Sequence, residues 1–181
     1  MLEGKSLLQW VVDTMAEICD ELVVVAAAGQ ELKCVLATRP LRVVQDVYPE
    51  HGPVGGLYTG LTASTSQHAW AVACDMPFLS ARLLEYIMER ASGFDAVVPR
   101  VDGRRQALHA VYSKSCLPAL ERVLGTAGWG LQELLPLVKT RYVEEADLKA
   151  FDSSRLSFFN NNMEQDMETA RRIIREGGRR R

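Results

Sequence analysis

Ala69-Trp70-Ala71-Val72-Ala73-Cys74-Asp75-Met76-Pro77-Phe78 carries more of the fold than any other stretch of this chain. Its first six residues are continuously apolar with no helical repeat, the pattern of a strand covered on both faces. The run stops at Asp75, and Pro77 then removes a backbone donor and turns the chain away. Ser80 follows as an N-cap for a helix predicted to reach Ala91, with Leu83, Leu84, Ile87 and Met88 as its buried stripe. Strand, acid, turn and helix in that order read as one half of an α/β unit.

The same alternation extends in both directions. Toward the N-terminus, Ser6 opens an amphipathic helix whose apolar residues Leu7, Leu8, Val11, Val12, Met15 and Ile18 recur every three or four positions. Leu22–Ala27 reads as a buried strand, and Leu41–Gln45 as a second that ends at Asp46. A Pro/Gly loop then leads into a helix predicted from Gly56 to about Ser66. Toward the C-terminus, strands are predicted at Asp95–Pro99, Leu108–Ser113, Thr140–Val143 and Leu156–Phe159. Helices are predicted from Pro118 to Leu124, over 131–137, and from Glu164 to Arg175. Strands separated by helices predict an open, mostly parallel α/β sheet with helices on both sides. The expected organisation is a single domain over 1–176 with a flexible basic tail at 177–181.

Bulk properties narrow the function classes. The 181 residues suit roughly one domain at ~100–200 residues each. With 48% hydrophobic and 24% charged residues, the composition is that of an ordinary globular protein. Lys plus Arg total 21 against 23 for Asp plus Glu, so no global attraction to nucleic acid or an anionic membrane is expected. The longest apolar run, Leu22–Ala28, is far short of the ~20 residues that span a bilayer. Gln9, Asp13 and Glu17 interrupt the N-terminal segment, which is therefore no secretory signal. The four cysteines, Cys19, Cys34, Cys74 and Cys116, form no C-x-x-C pair and read as buried or half-buried free thiols. The expectation is a cytoplasmic domain.

In open α/β sheets, ligands bind beyond the carboxyl ends of the strands. Asp75 lies there, either as a Mg²⁺ ligand sharing the ion with substrate phosphates or as a turn acid satisfied by nearby N–H groups. Spacing alone favours the turn. Asp46 follows a strand in the same way, and acids at strand ends are common turn chemistry. Gly52-Pro53-Val54-Gly55-Gly56-Leu57-Tyr58-Thr59-Gly60 has four glycines in nine residues, more than a tight strand-to-helix connection needs. Glycines there let a ligand approach the backbone. Gly103-Arg104-Arg105-Gln106 reads as a solvated basic hairpin, His109 as a satisfied structural histidine, and Asn160-Asn161-Asn162 as turn or capping residues with a ligand contact as the alternative. No P-loop, HExxH or Ser/His/Asp ordering is present.

Together, Val43-Val44-Gln45-Asp46, Gly52-Pro53-Val54-Gly55-Gly56-Leu57, Cys74-Asp75-Met76-Pro77-Phe78, Gly103–Ala110 and Phe158–Asn162 resemble the molybdenum cofactor guanylyltransferase (MobA) family of nucleotidyltransferases, in the right order and over nearly the whole chain. The resemblance implies a Rossmann-like three-layer fold that transfers GMP from GTP to the terminal phosphate of molybdopterin cofactor, with Mg²⁺, releasing pyrophosphate. It implies that Asp75 holds Mg²⁺ and the triphosphate, and that Asp46 contacts the nucleotide. Gly52, Pro53, Gly55 and Gly56 would line the nucleotide pocket, and Asn160 with Asn162 would lie toward the pterin side. The family opens with a strand and a loop of the type L-A-G-G-x-S-x-R-M-G-x-D-K. This sequence opens at Met1-Leu2-Glu3-Gly4-Lys5-Ser6-Leu7-Leu8, which matches the segment just after that loop. The expectation is a fold without its first strand and a chain that binds GTP poorly. Met163, Glu164 and Ala107 also depart from the family pattern. Two other readings remain: a transferase using another nucleotide such as CTP, and an inactive member acting as a binding or adaptor partner for molybdoenzyme maturation proteins.

Overall fold

Ser6 and Ser80 cap helices as their positions predict. The Ser6 hydroxyl accepts from the Gln9 N–H at 3.1 Å and opens α1 (Leu7–Ile18). The Ser80 hydroxyl accepts from the Leu83 N–H at 3.3 Å and opens α3 (Ala81–Met88). The structure, a computed structural model, describes residues 1–30, 32, 35–161 and 163–178. Cys34, Asn162 and the arginines at 179–181 lie outside the described residues. The helix α2 (Pro53–Ala63) starts ahead of the expected Gly56, because Pro53 occupies the first turn, where no N–H is needed.

Among the described residues the strands form two sheets rather than one. β1 (Leu22–Ala26) and β2 (Leu41–Gln45) pair in parallel, Leu22 opposite Leu41 through Ala26 opposite Gln45. The second sheet holds β3 (His68–Val72), β4 (Ala96–Val101), β5 (Arg104–Arg105), β6 (His109–Ser113) and β7 (Thr140–Glu144). β6 lies between β3 and β4, and β7 runs along the other edge of β4. β1–β2 and β4–β7 are parallel, whereas β3–β6, β4–β6 and β4–β5 are antiparallel, so the α/β architecture is as expected and the pairing is mixed. Asp102 and Gly103 both have positive φ in the two-residue turn from β4 to β5. Such a turn matches the right-handed twist of a hairpin.

Alternating side chains of the second sheet feed two helical layers. Ala96, Val98, Ala110 and Tyr112 face α2, α4 (Leu117–Leu124) and α5 (Leu131–Leu134). Val97, Val101, Val111 and Val143 face α3 and α6 (Glu145–Leu148), a helix the sequence did not announce. α1 packs beside α3 over Leu22, Trp70 and Val72. The last helix, α7, spans Glu164–Gly178 and so takes in the first two residues of the expected tail.

Two expectations are corrected. Leu156–Phe158 is a single 3₁₀ turn and not a strand. The Asp152 carboxylate accepts from the N–H groups of Leu156 at 3.2 Å and Ser157 at 2.7 Å, engaging donors that a ladder would need. β1 and β3 are not fully covered: Val23, Val24 and Val25 are half-buried, as is every residue of β3. The reason is a slot of about 1150 Å³ between the two strands, lined by Leu22–Ala27 on one side and His68–Asp75 on the other.

Candidate nucleotide site at the mouth of the slot

The chain leaves β3 at Val72 and reaches Asp75 two residues beyond Ala73, at one mouth of the slot. Met76 and Leu79 anchor the turn in the core, so Asp75 has little freedom. Its Oδ1 is buried and makes no hydrogen bond. A buried carboxylate oxygen without a partner carries a desolvation cost that a cation would remove. The turn reading that spacing alone favoured therefore fails for this oxygen. Among the described residues, no cluster of three or more His, Cys, Asp and Glu could hold a metal. The unpartnered Asp75 oxygen fits one ligand position of a Mg²⁺-like ion, whose shell can otherwise be filled by water and phosphate.

Asp46 lies at the same mouth but is spent differently. Its backbone N–H donates to the Ala26 carbonyl, continuing the β1–β2 ladder by one residue. Its Oδ1 accepts from the Tyr48 N–H at 2.9 Å and from the Thr59 hydroxyl at 3.0 Å. Thr59, a buried polar residue on α2, also accepts from the Val47 N–H at 3.2 Å. One Asp46 oxygen is thus turn chemistry, and Thr59 is a support that reading the sequence overlooked. Its signal was a hydroxyl on the buried face of a glycine-rich helix.

The glycines divide into distinct roles. Gly52 has φ +50° and ψ −130°, a conformation open essentially to glycine, and it sets the chain up for α2. A Cβ at Gly55 would run into the Tyr48 carbonyl oxygen, so Gly55 serves packing and does not line the slot. A Cβ at Gly56 would meet nothing within 4 Å. Gly52, Pro53 and Gly56 do line the slot, together with Asp46 and Asp75.

The 152–161 segment docks against this mouth. The Asn161 N–H donates to the Asp75 carbonyl at 2.9 Å, and the Phe159 ring lies 5.7 Å from that of Phe78. The Asn161 side chain donates to the Met167 sulfur at 3.4 Å. Asn160 is exposed. Asn161, which reading by motif passed over in favour of its two neighbours, is the residue that ties the segment to Asp75. Ser157 accepts from the Ser80 N–H at 3.0 Å. His109 sits behind it, with Nε2 3.5 Å from the Ser157 hydroxyl and its ring 4.4 Å from Phe158. Burial pushes the His109 imidazole down to about 3, so it is neutral, and its buried Nδ1 has no partner. His109 is buried in the core, but the expectation of a satisfied histidine is corrected: Nε2 alone is near a partner and Nδ1 has none.

Charge around the slot is acidic. Asp46 and Asp75 stand at one mouth, and the lining also carries Asp20, Glu21, Glu85 and Glu89 with no Lys or Arg among the described residues. Glu21 accepts from the Thr65 N–H and hydroxyl, both at 2.6 Å, and from Arg42 and Ser64. These bonds, with Thr65 foremost, hold its carboxyl down to about 2. Lys5 is engaged elsewhere, in an ion pair with Asp13 at 2.8 Å. Arg104, at the hairpin, is exposed. Of the cysteines, Cys116 is buried and Cys19 half-buried, as expected, but Cys74 is exposed at the site. No helix among the described residues is long and apolar enough to cross a membrane.

Residues 1–142 match the family model of the MobA-like NTP transferase domain. The chain is 38% identical over 139 residues to a probable molybdenum cofactor guanylyltransferase of Pelotomaculum thermopropionicum, covering 77% of this chain and 67% of the relative. It is 30% identical over 181 residues to the molybdenum cofactor guanylyltransferase of Desulfosudis oleivorans, covering 98% and 86%. The crystal structure of molybdopterin-guanine dinucleotide biosynthesis protein A from Archaeoglobus fulgidus superposes with a TM-score of 0.77 at 24% identity, covering 97% and 89%. The chain belongs to the MobA-like NTP transferase family.

Proposed function

We propose that this nucleotidyltransferase transfers GMP from GTP to the terminal phosphate of molybdopterin cofactor in the cytoplasm, with Asp75 holding a Mg²⁺ ion. The observation that carries the reading is the buried, unpartnered Oδ1 of Asp75 in the lining of the slot that Gly52 and Gly56 also line. The relatives' names supply the acceptor and the base.

In the reaction, an oxygen of the acceptor's terminal phosphate bonds to the α-phosphorus of GTP. The bond to the bridging oxygen breaks, and the electron pair leaves with pyrophosphate. The attacking group is already an anion, so no side chain has to be activated as nucleophile or base. A Mg²⁺ ion held by Asp75 would supply neutralisation of charge on the transferring and departing phosphates. The chain's own work is positioning. Asp75 fixes the ion's place from a turn anchored by Met76 and Leu79. Asp46, locked by Tyr48 and Thr59, offers its other oxygen to the nucleotide. The glycine wall at Gly52 and Gly56 lets the nucleotide approach main chain without meeting a side chain. Asn160 and Asn162 are assigned to the pterin side, and Asn161 ties the 152–161 segment to Asp75.

Calorimetric titration with Mg-GTP and Mg-CTP, alongside a pyrophosphate-release assay with molybdopterin, tests the reading. Binding of GTP about tenfold or more tighter than CTP, with release dependent on acceptor, is expected. Tighter CTP binding would replace the base assignment. Binding of neither nucleotide would favour the adaptor reading, for which the acidic lining of the slot speaks.

A further inference from the structure

We infer that the buried Ser157 hydroxyl, backed by His109, is a positioning group for the acceptor: it pins residues 157–161 along the turn that follows Asp75 and so sets where the acceptor's phosphate meets the nucleotide. The inference rests on the transferase reading and gives work to two residues which that reading leaves idle. Ser80, His109 and Ser157 all lie outside the slot. Residues 157–161 run antiparallel to the turn 75–80, contact by contact. The Ser80 N–H donates to the Ser157 hydroxyl at 3.0 Å. The Phe159 ring lies 5.7 Å from that of Phe78, and the Asn161 N–H donates to the Asp75 carbonyl at 2.9 Å. The two polar bonds bracket the turn, one at each end.

The place of this segment depends on few tethers, because its regular structure is a single 3₁₀ turn. The Asp152 carboxylate shapes it from within. Arg155 pairs with Asp102 and Glu145, but these are exposed side chains, and such pairs hold a segment weakly. The Ser157 junction is of another kind: Ser157 is 1% exposed and His109 0%. Besides the Ser80 N–H, the Ser157 oxygen meets His109 Nε2 at 3.5 Å. With the imidazole proton on Nε2, that nitrogen donates to Ser157, and Nδ1 is left as a bare acceptor. The other tautomer would bury an unpaired N–H, the rarer and costlier orphan. A leucine would fill this position with no orphaned nitrogen, so what the imidazole adds is the contact to Ser157. His109 belongs to β6, a strand paired on both sides, and the Phe158 ring covers the junction 4.4 Å from the imidazole. In the transferase reading the nucleotide takes the slot, so the acceptor reaches Asp75 from outside it. Residues 157–161 border Asp75 there, with Asn160 exposed. A shift of about 1 Å in such a border can cost about 10²-fold in rate.

The test separates positioning from folding. Ser157→Ala and His109→Leu each delete one side of the junction, while Ser157→Thr keeps the hydroxyl and His109→Gln keeps an N–H donor. Pyrophosphate release is measured against molybdopterin and against GTP. The two deletions are expected to raise KM for molybdopterin about tenfold and leave KM for GTP within about twofold, and the two conservative variants to stay within about threefold of the unaltered chain. Amide exchange is expected to quicken about tenfold at Asn161, the far tether, and less than about threefold at Val97 and Val111. A role in stability alone would lower kcat with both KM values intact and would quicken exchange at all three residues alike; either result overturns the inference. So would KM for GTP rising as much as that for molybdopterin. If His109→Leu does not fold, Ser157→Ala decides. An unaltered chain that transfers no GMP would defeat the transferase reading and the inference with it. Transfer by the unaltered chain, with the acceptor KM unmoved in the deletions, would defeat the inference alone.

Discussion

β6 and β1 are strands of five residues each, and β1 is the more apolar in sequence, yet it is β6 that is wholly buried. All of β6 is buried, with Ala110, Val111 and Tyr112 at 0% exposure, whereas β1 buries only Leu22 and Ala26. The difference lies in neighbours. β6 has a strand on each side and helices above and below, while one edge of β1 looks into the slot. The two acids divide in the same way. Asp75 leaves the half-buried strand β3 with an oxygen unpaired, and Asp46 leaves β2 with an oxygen already spent on its own turn. Apolar sequence marks what can be buried, and pairing decides what is.

The sharpest way to break that contrast is to remove each acid. Asp75→Asn is expected to lower the transfer rate by about 10³-fold and to weaken Mn²⁺ binding in titration, since a metal-held charge is worth several kcal/mol. Asp46→Asn is expected to cost about tenfold and leave Mn²⁺ affinity nearly unchanged, because the Tyr48 N–H still finds an oxygen. Equal losses in the two variants would erase the distinction between the acids.

A pH series probes the buried sheet. His109 titrates near 6.5 when unfolded and only near 3 when folded, so the unfolded chain binds more protons between those values. Its neutral burial costs nothing extra above pH ~6.5, and stability falls as pH drops from there toward 3, by up to about 1.4 kcal/mol per pH unit. His109→Gln is expected to flatten that part of the curve in denaturant midpoints taken from pH 7 to 4. An unchanged slope would show that another group governs it.

Packing differs by a smaller amount. Val111→Ala is expected to cost about 2–3 kcal/mol in chemical denaturation, and Val24→Ala less than about 1, because the half-buried site leaves less to lose. Comparable costs would mean that the slot is closed in solution. The glycine pair differs in sign. Gly55→Ala is expected to destabilise by about 1–3 kcal/mol through its clash with Tyr48, while Gly56→Ala stabilises α2 by about 0.5–1 kcal/mol and weakens GTP binding. Unchanged GTP affinity in Gly56→Ala would take Gly56 out of the nucleotide wall.

The amino-acid sequence by itself determined the elements and the chemistry available to them. Caps at Ser6 and Ser80, the strand runs at 22–26, 41–45 and 109–113, and acids placed at strand ends are local patterns, legible because periodicity and capping act over a few residues. The glycine-rich stretch was also legible as a group. Which glycine answers to backbone conformation, which to packing and which to open space was not, because that depends on Tyr48 and the slot wall. The apolar residues at 156–159 looked like a strand because nothing in them shows Asp152 reaching back to claim their amides. Only the tertiary structure decided which carboxylate oxygen is left without a partner, that Asn161 anchors on Asp75, and that β1 and β3 face each other across a gap. Those outcomes depend on residues far apart in sequence meeting in space, where pairing and desolvation are settled by neighbours that no local pattern encodes.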